Sequence, residues 1–199
     1  MARPREFDED AALEAAVQCF WAKGFEGTSV RELASSMGIA GASLYNAFGD
    51  KQALYDRALA RYVEQSVQDR IRRFERLPPL HAIRAFFDEI VARSLADEDR
   101  QGCLLVNSVF ECSLHDEAAQ APIADVVKQI EAFFRRCVEA GQAGGTIIST
   151  ESADDLARLL LGMLMGVRVL ARVRPERDLL EGIVRPIMNM LGGHQSLRD

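Results

Sequence analysis

Several features that would indicate a membrane, secreted or disulfide-bonded protein are scarce in this sequence of 199 residues. The longest apolar run, residues 159–167, is much shorter than the about 20 residues that a membrane-spanning helix requires. The chain begins MARPREFDED, without the apolar segment of a secretory signal, so we expect a cytoplasmic protein. No two of the four cysteines form a CxxC pair, which argues against a zinc ribbon or a thioredoxin-type motif and predicts reduced thiols.

The sequence also has little that would support catalysis. The three histidines, His81, His115 and His194, lie on separate segments without metal-ligand spacing, and no serine has the context of a nucleophile elbow. The glycine-rich residues 141–145 follow a helical pattern, which is not the context of a phosphate-binding loop. We therefore predict no enzymatic activity, no metal and no cofactor. An all-α enzyme or carrier that uses a cavity in a helical bundle remains an alternative, which a turnover assay would distinguish.

Apolar residues recur with a helical period along the whole chain. No segment long enough to form a strand alternates between apolar and polar residues. We predict an all-α fold of about nine helices and no sheet, with helices near residues 8–23, 30–37, 41–46, 50–76, 80–96, 102–114, 119–140, 151–173 and 176–191. Residues 1–51 would form a small three-helix domain and residues 52–199 a larger helical bundle. The long fourth helix would join the two domains without a flexible linker.

Residues 28–48, TSVRELASSMGIAGASLYNAF, have the pattern of a helix-turn-helix. Ser29 and Glu32 are spaced as a capping box that opens the first helix, and Gly38 lies in the turn. The second helix of such a motif enters the major groove of DNA. Its outward positions are occupied by Gly41, Ala42, Ser43, Tyr45 and Asn46.

Residues 8–60 resemble the N-terminal domain of the TetR family of transcriptional regulators. The resemblance rests on the identity and spacing of Gly24, Phe25, Thr28, Leu33, Ala34, Gly38, Ile39, Leu44, Tyr45, Phe48 and Lys51. It implies a ligand-responsive, homodimeric transcriptional regulator that binds double-stranded palindromic operator DNA. The expected mode of action is a repressor that a small-molecule effector releases from the DNA.

The resemblance also implies roles for individual residues. Phosphate oxygens accept hydrogen bonds from hydroxyl groups, cationic side chains and N–H groups at helix ends, and the residues in this role would be Thr28, Ser29, Arg31, Tyr45 and Lys51. The residues at the base edges would be Gly41, Ala42, Ser43 and Asn46, of which only the last two carry side-chain donors. A core position for Tyr45 and a solvated position for Lys51 are the alternatives. Ala40 stands where the family usually has Ser or Thr, so the second helix is expected to begin without a side-chain cap.

Positive charge is not in excess. The chain has 24 Lys and Arg against 30 Asp and Glu, a net charge of −6, and residues 1–51 are also net acidic. A protein that binds DNA needs positive charge only on the surface that faces the phosphates. The charge balance therefore predicts modest non-specific affinity for DNA and a strong dependence on dimerisation.

The most informative segment of the second domain is GCLLVNSVFE, residues 102–111, whose first six residues resemble a motif in one subset of TetR-family regulators. On a helix, Cys103, Asn107, Phe110 and Glu111 share one face, which predicts the wall of a ligand pocket. Hydrogen bonds from Asn107 and Glu111 to a neighbouring helix are the alternative. The further apolar lining residues would be Phe86, Phe87, Phe134 and Met163.

Two residues of this domain leave further alternatives open. Cys103 follows a glycine near a helix N-terminus, a position that favours a reactive thiolate. A regulator that senses thiol-reactive compounds through Cys103 is therefore an alternative function, and a buried, inert thiol is the other interpretation. Arg168 interrupts the apolar stripe of the eighth helix and could pair with Glu111, bind an anion, or lie in solvent or at an interface.

The last two predicted helices carry more apolar surface than a small bundle needs to bury. In the resembled family these helices pair across a two-fold axis into a four-helix bundle. Such a dimer presents two recognition helices about 34–36 Å apart, which matches a palindromic operator. We therefore assign to the dimer interface Leu156, Leu160, Leu164, Leu180, Ile183 and Ile187.

Overall fold

The computed structural model describes residues 7–111 and 117–192, and all regular structure within them is helical, which confirms the predicted fold class. The fourth helix, α4, has three consecutive parts: Lys51–Val63, the π-helical segment Glu64–Gln68, and Asp69–Phe74. The other helices are α1 (Glu9–Lys23), α2 (Val30–Ser36), α3 (Gly41–Phe48), α5 (Pro79–Leu95), α6 (Leu104–Glu111), α7 (Glu117–Ala143), α8 (Ala153–Val173) and α9 (Arg177–Gly192).

The local sequence sets the ends of the N-terminal helices. Asp8 accepts hydrogen bonds from two backbone N–H groups of α1, and Ser29 and Glu32 form the expected reciprocal capping box of α2. Helix α3 begins after Ala40 without a side-chain cap, which costs about 1 kcal/mol relative to Ser or Thr. Gly38 turns the chain between α2 and α3 with a φ of 64°, a conformation that glycine adopts without strain.

Helix α4 connects the N-terminal helices to the bundle. The ring of Tyr55 packs edge-on against Phe20 and Phe25, with centroid distances of 5.0 and 5.1 Å. The first part of α4 therefore completes the N-terminal core, while its last part packs on α5. The domain boundary predicted at residue 51 lies at the start of a helix that both domains share. A displacement of α4 consequently acts on both.

Four phenylalanine rings from α5 and α7 meet in the centre of the bundle. The centroid of Phe86 lies 5.4 Å from Phe133 and 5.1 Å from Phe134, and Phe87 stacks on Phe134 at 5.7 Å. All four side chains are excluded from solvent. This aromatic cluster is the core of the C-terminal domain, because buried aromatic pairs combine a large apolar area with favourable ring geometry.

A charged residue is buried beside this aromatic cluster. Arg70, near the end of α4, is 2% exposed, and its guanidinium donates to Oε1 of Glu89 on α5 from Nε at 3.1 Å and from Nη2 at 3.0 Å. Arg73 donates to Glu89 Oε2 at 2.8 Å. Burial of Glu89 opposes its ionisation, but the hydrogen bonds and charges of Arg73 and Arg70 outweigh burial and hold the pKa of Glu89 below its ordinary value. The two arginines tie the end of α4 to α5.

Candidate nucleic-acid interface

Helix α3 presents an uncharged face to solvent. Leu44 and Phe48 anchor the helix in the N-terminal core. The side chain of Tyr45 is 53% exposed, which excludes a core position for it. The other predicted groove-facing residues also lie on the accessible side, namely Gly41, Ala42 and Asn46, with Ser43 half-buried. Small residues in the first turn allow the backbone of this helix to approach a DNA groove closely.

The residues that precede and open α2 differ in how available they are to a phosphate. Thr28 is 1% exposed, and its hydroxyl donates to the carbonyl oxygen of Gly24 at 2.7 Å. The prediction that Thr28 contacts phosphate is therefore corrected, because its only side-chain donor is used inside the domain. Ser29 is exposed, although its hydroxyl donates to Glu32 at 2.7 Å. Arg31 on α2 is exposed to solvent.

Lys51 begins α4 and lies half-buried, with its ammonium 4.3 Å from the centroid of the Phe25 ring. Asp50 caps the same helix through the backbone N–H of Ala53. A helix N-terminus carries a partial positive charge that favours an anion. The Asp50 carboxylate already occupies part of this helix end, so the Lys51 ammonium is the cation that α4 offers at its start, which follows α3 in the chain.

A carboxylate from the C-terminal domain holds the turn between α1 and α2. Oε2 of Glu111, on α6, accepts a hydrogen bond from the backbone N–H of Phe25 at 2.7 Å. Gly24 has a φ of 74°, a conformation that favours glycine, and Oε1 of the flexible Glu111 side chain lies 2.3 Å from where a Cβ atom would be placed. The hydroxyls of Tyr55 on α4 and Ser108 on α6 are 2.7 Å apart. Helix α6 therefore contacts both the α1–α2 turn and the first part of α4.

The other polar residue of the predicted pocket wall is also engaged within the fold. Asn107 donates from Nδ2 to the carbonyl oxygen of Gln101 at 2.9 Å and accepts from Arg172 at 2.9 Å. Asn107 and Glu111 thus make the hydrogen bonds to neighbouring elements that were the alternative interpretation. Phe110 is 74% exposed on the outside of α6.

The apolar residues predicted to line the ligand pocket belong to the protein core. Phe86, Phe87 and Phe134 pack on one another in the aromatic cluster, so their predicted role as pocket walls is corrected. Met163 is half-buried on α8, and Cys103 is buried with its Sγ 3.4 Å from the hydroxyl of Tyr62. The eight residues of the predicted pocket consequently do not converge on one cavity.

Two of the cavities that the described residues form involve α4. The first, of about 410 Å³, lies between α1 of the DNA-binding domain and residues of α4, α5, α8 and the loop before α6. We call it the junction cavity. The second, of about 440 Å³, is mostly apolar and lies between α4 and α7, with Leu105 of α6 in its wall. The sequence pattern indicated neither, because each is formed by elements that are distant in the chain.

The predicted dimer-interface residues mostly face the core of their own subunit. Leu156, Leu160, Leu164, Leu180 and Ile187 are each at most 5% exposed within a single chain, so these assignments are corrected. Ile183 is half-buried. The accessible apolar side of α8 is instead a stripe formed by Leu159, Gly162, Met163, Gly166, Leu170 and Val173, which we call the α8 outer face. On α9, Pro186 and Met190 are the exposed apolar residues.

The described residues, 7–111 and 117–192, contain neither a metal-binding group nor a membrane-spanning helix. No group of three His, Cys, Asp or Glu side chains within them could hold a metal ion. No helix within them is long and apolar enough to cross a membrane.

Comparison with known proteins assigns this fold and this α3 surface to a family. Residues 12–58 match the family model of bacterial regulatory proteins of the tetR family, and residues 79–187 match the tetracyclin repressor-like C-terminal domain. The chain therefore belongs to the TetR family of DNA-binding transcriptional regulators. The predicted family resemblance is thereby confirmed.

Individual relatives match most of the chain. The uncharacterized transcriptional regulator YezE of Bacillus subtilis is 31% identical and covers 96% of this chain and 100% of its own length. The transcriptional repressor ComR of Escherichia coli is 27% identical over 85% of this chain and 82% of its own length. A structure of the TetR-family regulator CifR bound to a 26-base-pair operator has a TM-score of 0.84 and 31% identity, with coverage of 96% and 100%.

Proposed function

We propose that this protein is a homodimeric repressor that binds palindromic operator DNA through α3 and is released by a small molecule. The observation that carries the proposal is the exposed, uncharged face of α3 that includes Tyr45, with Arg31 exposed on the preceding helix and Lys51 at the start of the following one. Hydroxyl and cationic groups around a helix that fits the major groove are what phosphate and base contacts require. The CifR complex with operator DNA and the repressor ComR support the same function.

Assembly of two subunits would use the α8 outer face and the exposed side of α9. The outer face is apolar, and a Cβ atom added to either of its two glycines would have no neighbouring atom within 4 Å in the single chain. Small residues on a helix allow another helix to pack closely against it. A two-fold pair of these helices would bury the stripe and set the distance between the two α3 helices.

Control by a ligand would act through the contacts between the two domains. Glu111 and Ser108 on α6 bond the α1–α2 turn and α4, and α4 is shared by both domains. A ligand that binds more tightly to one arrangement of α6 and α4 shifts the population toward it by its difference in affinity. That shift would change the spacing of the α3 helices and so release the operator.

A binding assay tests this function. Electrophoretic mobility shifts with the DNA flanking the protein's own gene, and with duplexes selected from a random library, are expected to give a salt-sensitive complex specific for a palindrome. If the selected duplexes have no dyad symmetry and complex formation does not weaken as salt increases, the proposal fails.

Tyr45→Phe is expected to weaken operator binding about 10-fold or more, since a hydrogen bond to a charged group contributes about 1.5–3 kcal/mol. The fold should not change, because the Tyr45 side chain is exposed. The measurement is the operator Kd by fluorescence anisotropy. Ser35→Ala, which removes an exposed hydroxyl from α2 beside α1, is the matched control and should leave the Kd unchanged. Equal effects of both substitutions would contradict a phosphate contact by Tyr45.

A second candidate function, release by thiol-reactive compounds, rests on the surroundings of Cys103. Its Sγ accepts a hydrogen bond from Tyr62, and the adjacent Gly102 lines the junction cavity. Modification of this thiol would therefore occur where α4 meets the segment that leads into α6. Among the described residues Cys137 is also a buried thiol, and burial raises its pKa to about 11, which keeps it protonated and unreactive.

On this alternative, N-ethylmaleimide is expected to release operator from the unmodified protein and from Cys137→Ser, but not from Cys103→Ser. The thiolate would add to the maleimide double bond, and the bulky adduct would displace Tyr62. Release is followed by anisotropy, and the site of addition by mass spectrometry. Equal release from the Cys103→Ser variant would remove the alternative and leave a reversible effector.

A further inference from the structure

The junction cavity is lined by both domains. Helix α1 contributes Val17 and Trp21, and α4 contributes Tyr62 and Gln65. Arg168 of α8 lies on the opposite wall. The volume of about 410 Å³ is within the range of cavities that bind small organic molecules. A molecule bound here would touch the DNA-binding domain and the bundle at the same time.

Arg168 is a cation of this cavity that has no ion pair among the described residues, whereas the other lining arginine, Arg93, has its Nε 3.6 Å from Oε1 of Glu89. Arg168 is half-buried, and it makes no hydrogen bond with any described residue. The carboxylates of the cavity are engaged: Glu14 accepts from Arg61 at 3.2 Å, and Asp97 accepts from the Gly102 N–H at 2.7 Å. A partly buried guanidinium without a partner is costly, because it has lost water and gained no compensating bond.

The field of Arg168 acts on the groups around it. Burial lowers the pKa of Arg70, and the like charge of Arg168 lowers it further. Glu89 neutralises Arg70 but does not reach Arg168. Burial and the neighbouring Cys103 raise the pKa of Tyr62 against the opposing effect of Arg168, so Tyr62 is a neutral hydroxyl beside the cavity. An anion bound at Arg168 would offset its charge.

We infer that the junction cavity binds a small organic monocarboxylate, whose carboxylate pairs with Arg168 and whose apolar body lies against Trp21 and Val17. A guanidinium matches a carboxylate with two parallel hydrogen bonds. A single unpaired cation favours a single negative charge, and Glu14 and Asp97 in the same cavity disfavour a phosphate dianion. This inference rests on the proposed function, because it names the chemical class of the effector.

Binding at this place would act directly on α1. The ligand would join Arg168 on α8 to Trp21 on α1, and Tyr62 on α4 would form part of the same wall. The loop before α6, whose Gly102 also lines the cavity, leads to the helix that holds the α1–α2 turn through Glu111. Occupancy of the cavity therefore changes the contacts that position α3.

Trp21 is the only tryptophan of the chain and serves as a direct reporter. The probes are phenylacetate, 4-phenylbutyrate and octanoate, with phenylacetamide as the neutral analogue of the first. At least one carboxylate is expected to change Trp21 fluorescence saturably, and an amide analogue should bind about 10-fold more weakly because it lacks the charge. Arg168→Gln should weaken carboxylate binding about 10-fold or more, and Arg168→Lys less, because lysine keeps the charge without the two-pronged geometry.

The matched control is Arg158→Gln, an arginine on the exposed side of the same helix, which should leave the carboxylate Kd unchanged. Thermal unfolding by circular dichroism establishes that each variant is folded. The inference is overturned if none of the three carboxylates changes the fluorescence at about 10 mM, a concentration that would reveal even weak binding. It is equally overturned if Arg168→Gln and Arg168→Lys bind them as the unmodified protein does.

Operator binding by the ligand-free protein is measured in parallel, so that the two proposals can fail separately. Intact operator binding without carboxylate binding overturns the ligand site alone. Saturable, Arg168-dependent carboxylate binding without any operator complex supports the site and contradicts the proposed repressor function.

Discussion

Gly166→Glu is expected to leave the subunit folded and to prevent it from forming a dimer. A Cβ at Gly166 meets nothing within 4 Å in the single chain, and glycine inside a helix is about 1 kcal/mol less favourable than alanine. The folded subunit therefore has no steric reason to be destabilised. In a two-fold dimer built on the α8 outer face, each new carboxylate would enter an apolar interface and meet its symmetry mate.

The loss of the dimer should in turn weaken operator binding by about 100-fold or more, because the two half-sites would no longer be bound by linked domains. Sedimentation equilibrium gives the subunit mass, and anisotropy gives the operator Kd. Ala124→Glu, which places the same charge on the exposed surface of α7, is the matched control and should remain dimeric. A dimeric Gly166→Glu protein would place the interface elsewhere.

Glu89→Ala is expected to lower the free energy of unfolding by about 3 kcal/mol, because removal of one partner from a buried ion pair leaves the other charge uncompensated. Arg70 is 2% exposed, and its Nε and Nη2 atoms both donate hydrogen bonds to the carboxylate of Glu89. For a chain of this length the change corresponds to a decrease in Tm of roughly 6–12 °C.

The control for this substitution is Asp125→Ala, which removes an exposed ion pair with Lys128. The side chain of Asp125 is 64% accessible and that of Lys128 is 74% accessible. Such pairs contribute about 0–1 kcal/mol, so the Tm should change little. The double variant Arg70→Met with Glu89→Leu should regain most of the lost stability, because it removes both charges together. If Glu89→Ala and Asp125→Ala destabilise the protein equally, the Arg70 ion pair does not have the assigned role.

Local features of the fold were predictable from the sequence because short-range interactions determine them. The capping box of Ser29 and Glu32, the turn at Gly38 and the uncapped start after Ala40 depend on residues a few positions apart. The accessible positions of α3 follow from the helical period once Leu44 and Phe48 are assigned to the core.

The face that each helix buries was less predictable. Periodicity identified Leu156, Leu160 and Leu164 as one apolar stripe of α8, but it could not tell whether the same subunit or a partner covers that stripe. The second apolar stripe, with Leu159 and Gly166, became visible as a separate face only when the first was filled by the core.

The predicted roles of individual residues differ from their contacts in the structure because those contacts also depend on the tertiary fold. Glu111 was predicted to line a pocket, and its carboxylate instead bonds the backbone of Phe25, 86 positions away in the chain. Thr28 was predicted to contact phosphate, and its hydroxyl is consumed by Gly24. A hydroxyl or carboxylate binds whichever donor or acceptor the fold brings near it, and the sequence pattern around the residue does not specify that partner.

The amino-acid sequence by itself therefore determined the helical fold class, the helix-turn-helix and the family, since these depend on local period, capping and a run of characteristic residues. Only the tertiary structure decided which side of α8 is accessible, which cavity lies between the domains and why Arg168 is left without an ion pair among the described residues. Those properties arise where segments distant in the chain meet. Which side chains are buried or paired there depends on how these segments pack together, and local sequence does not specify that packing.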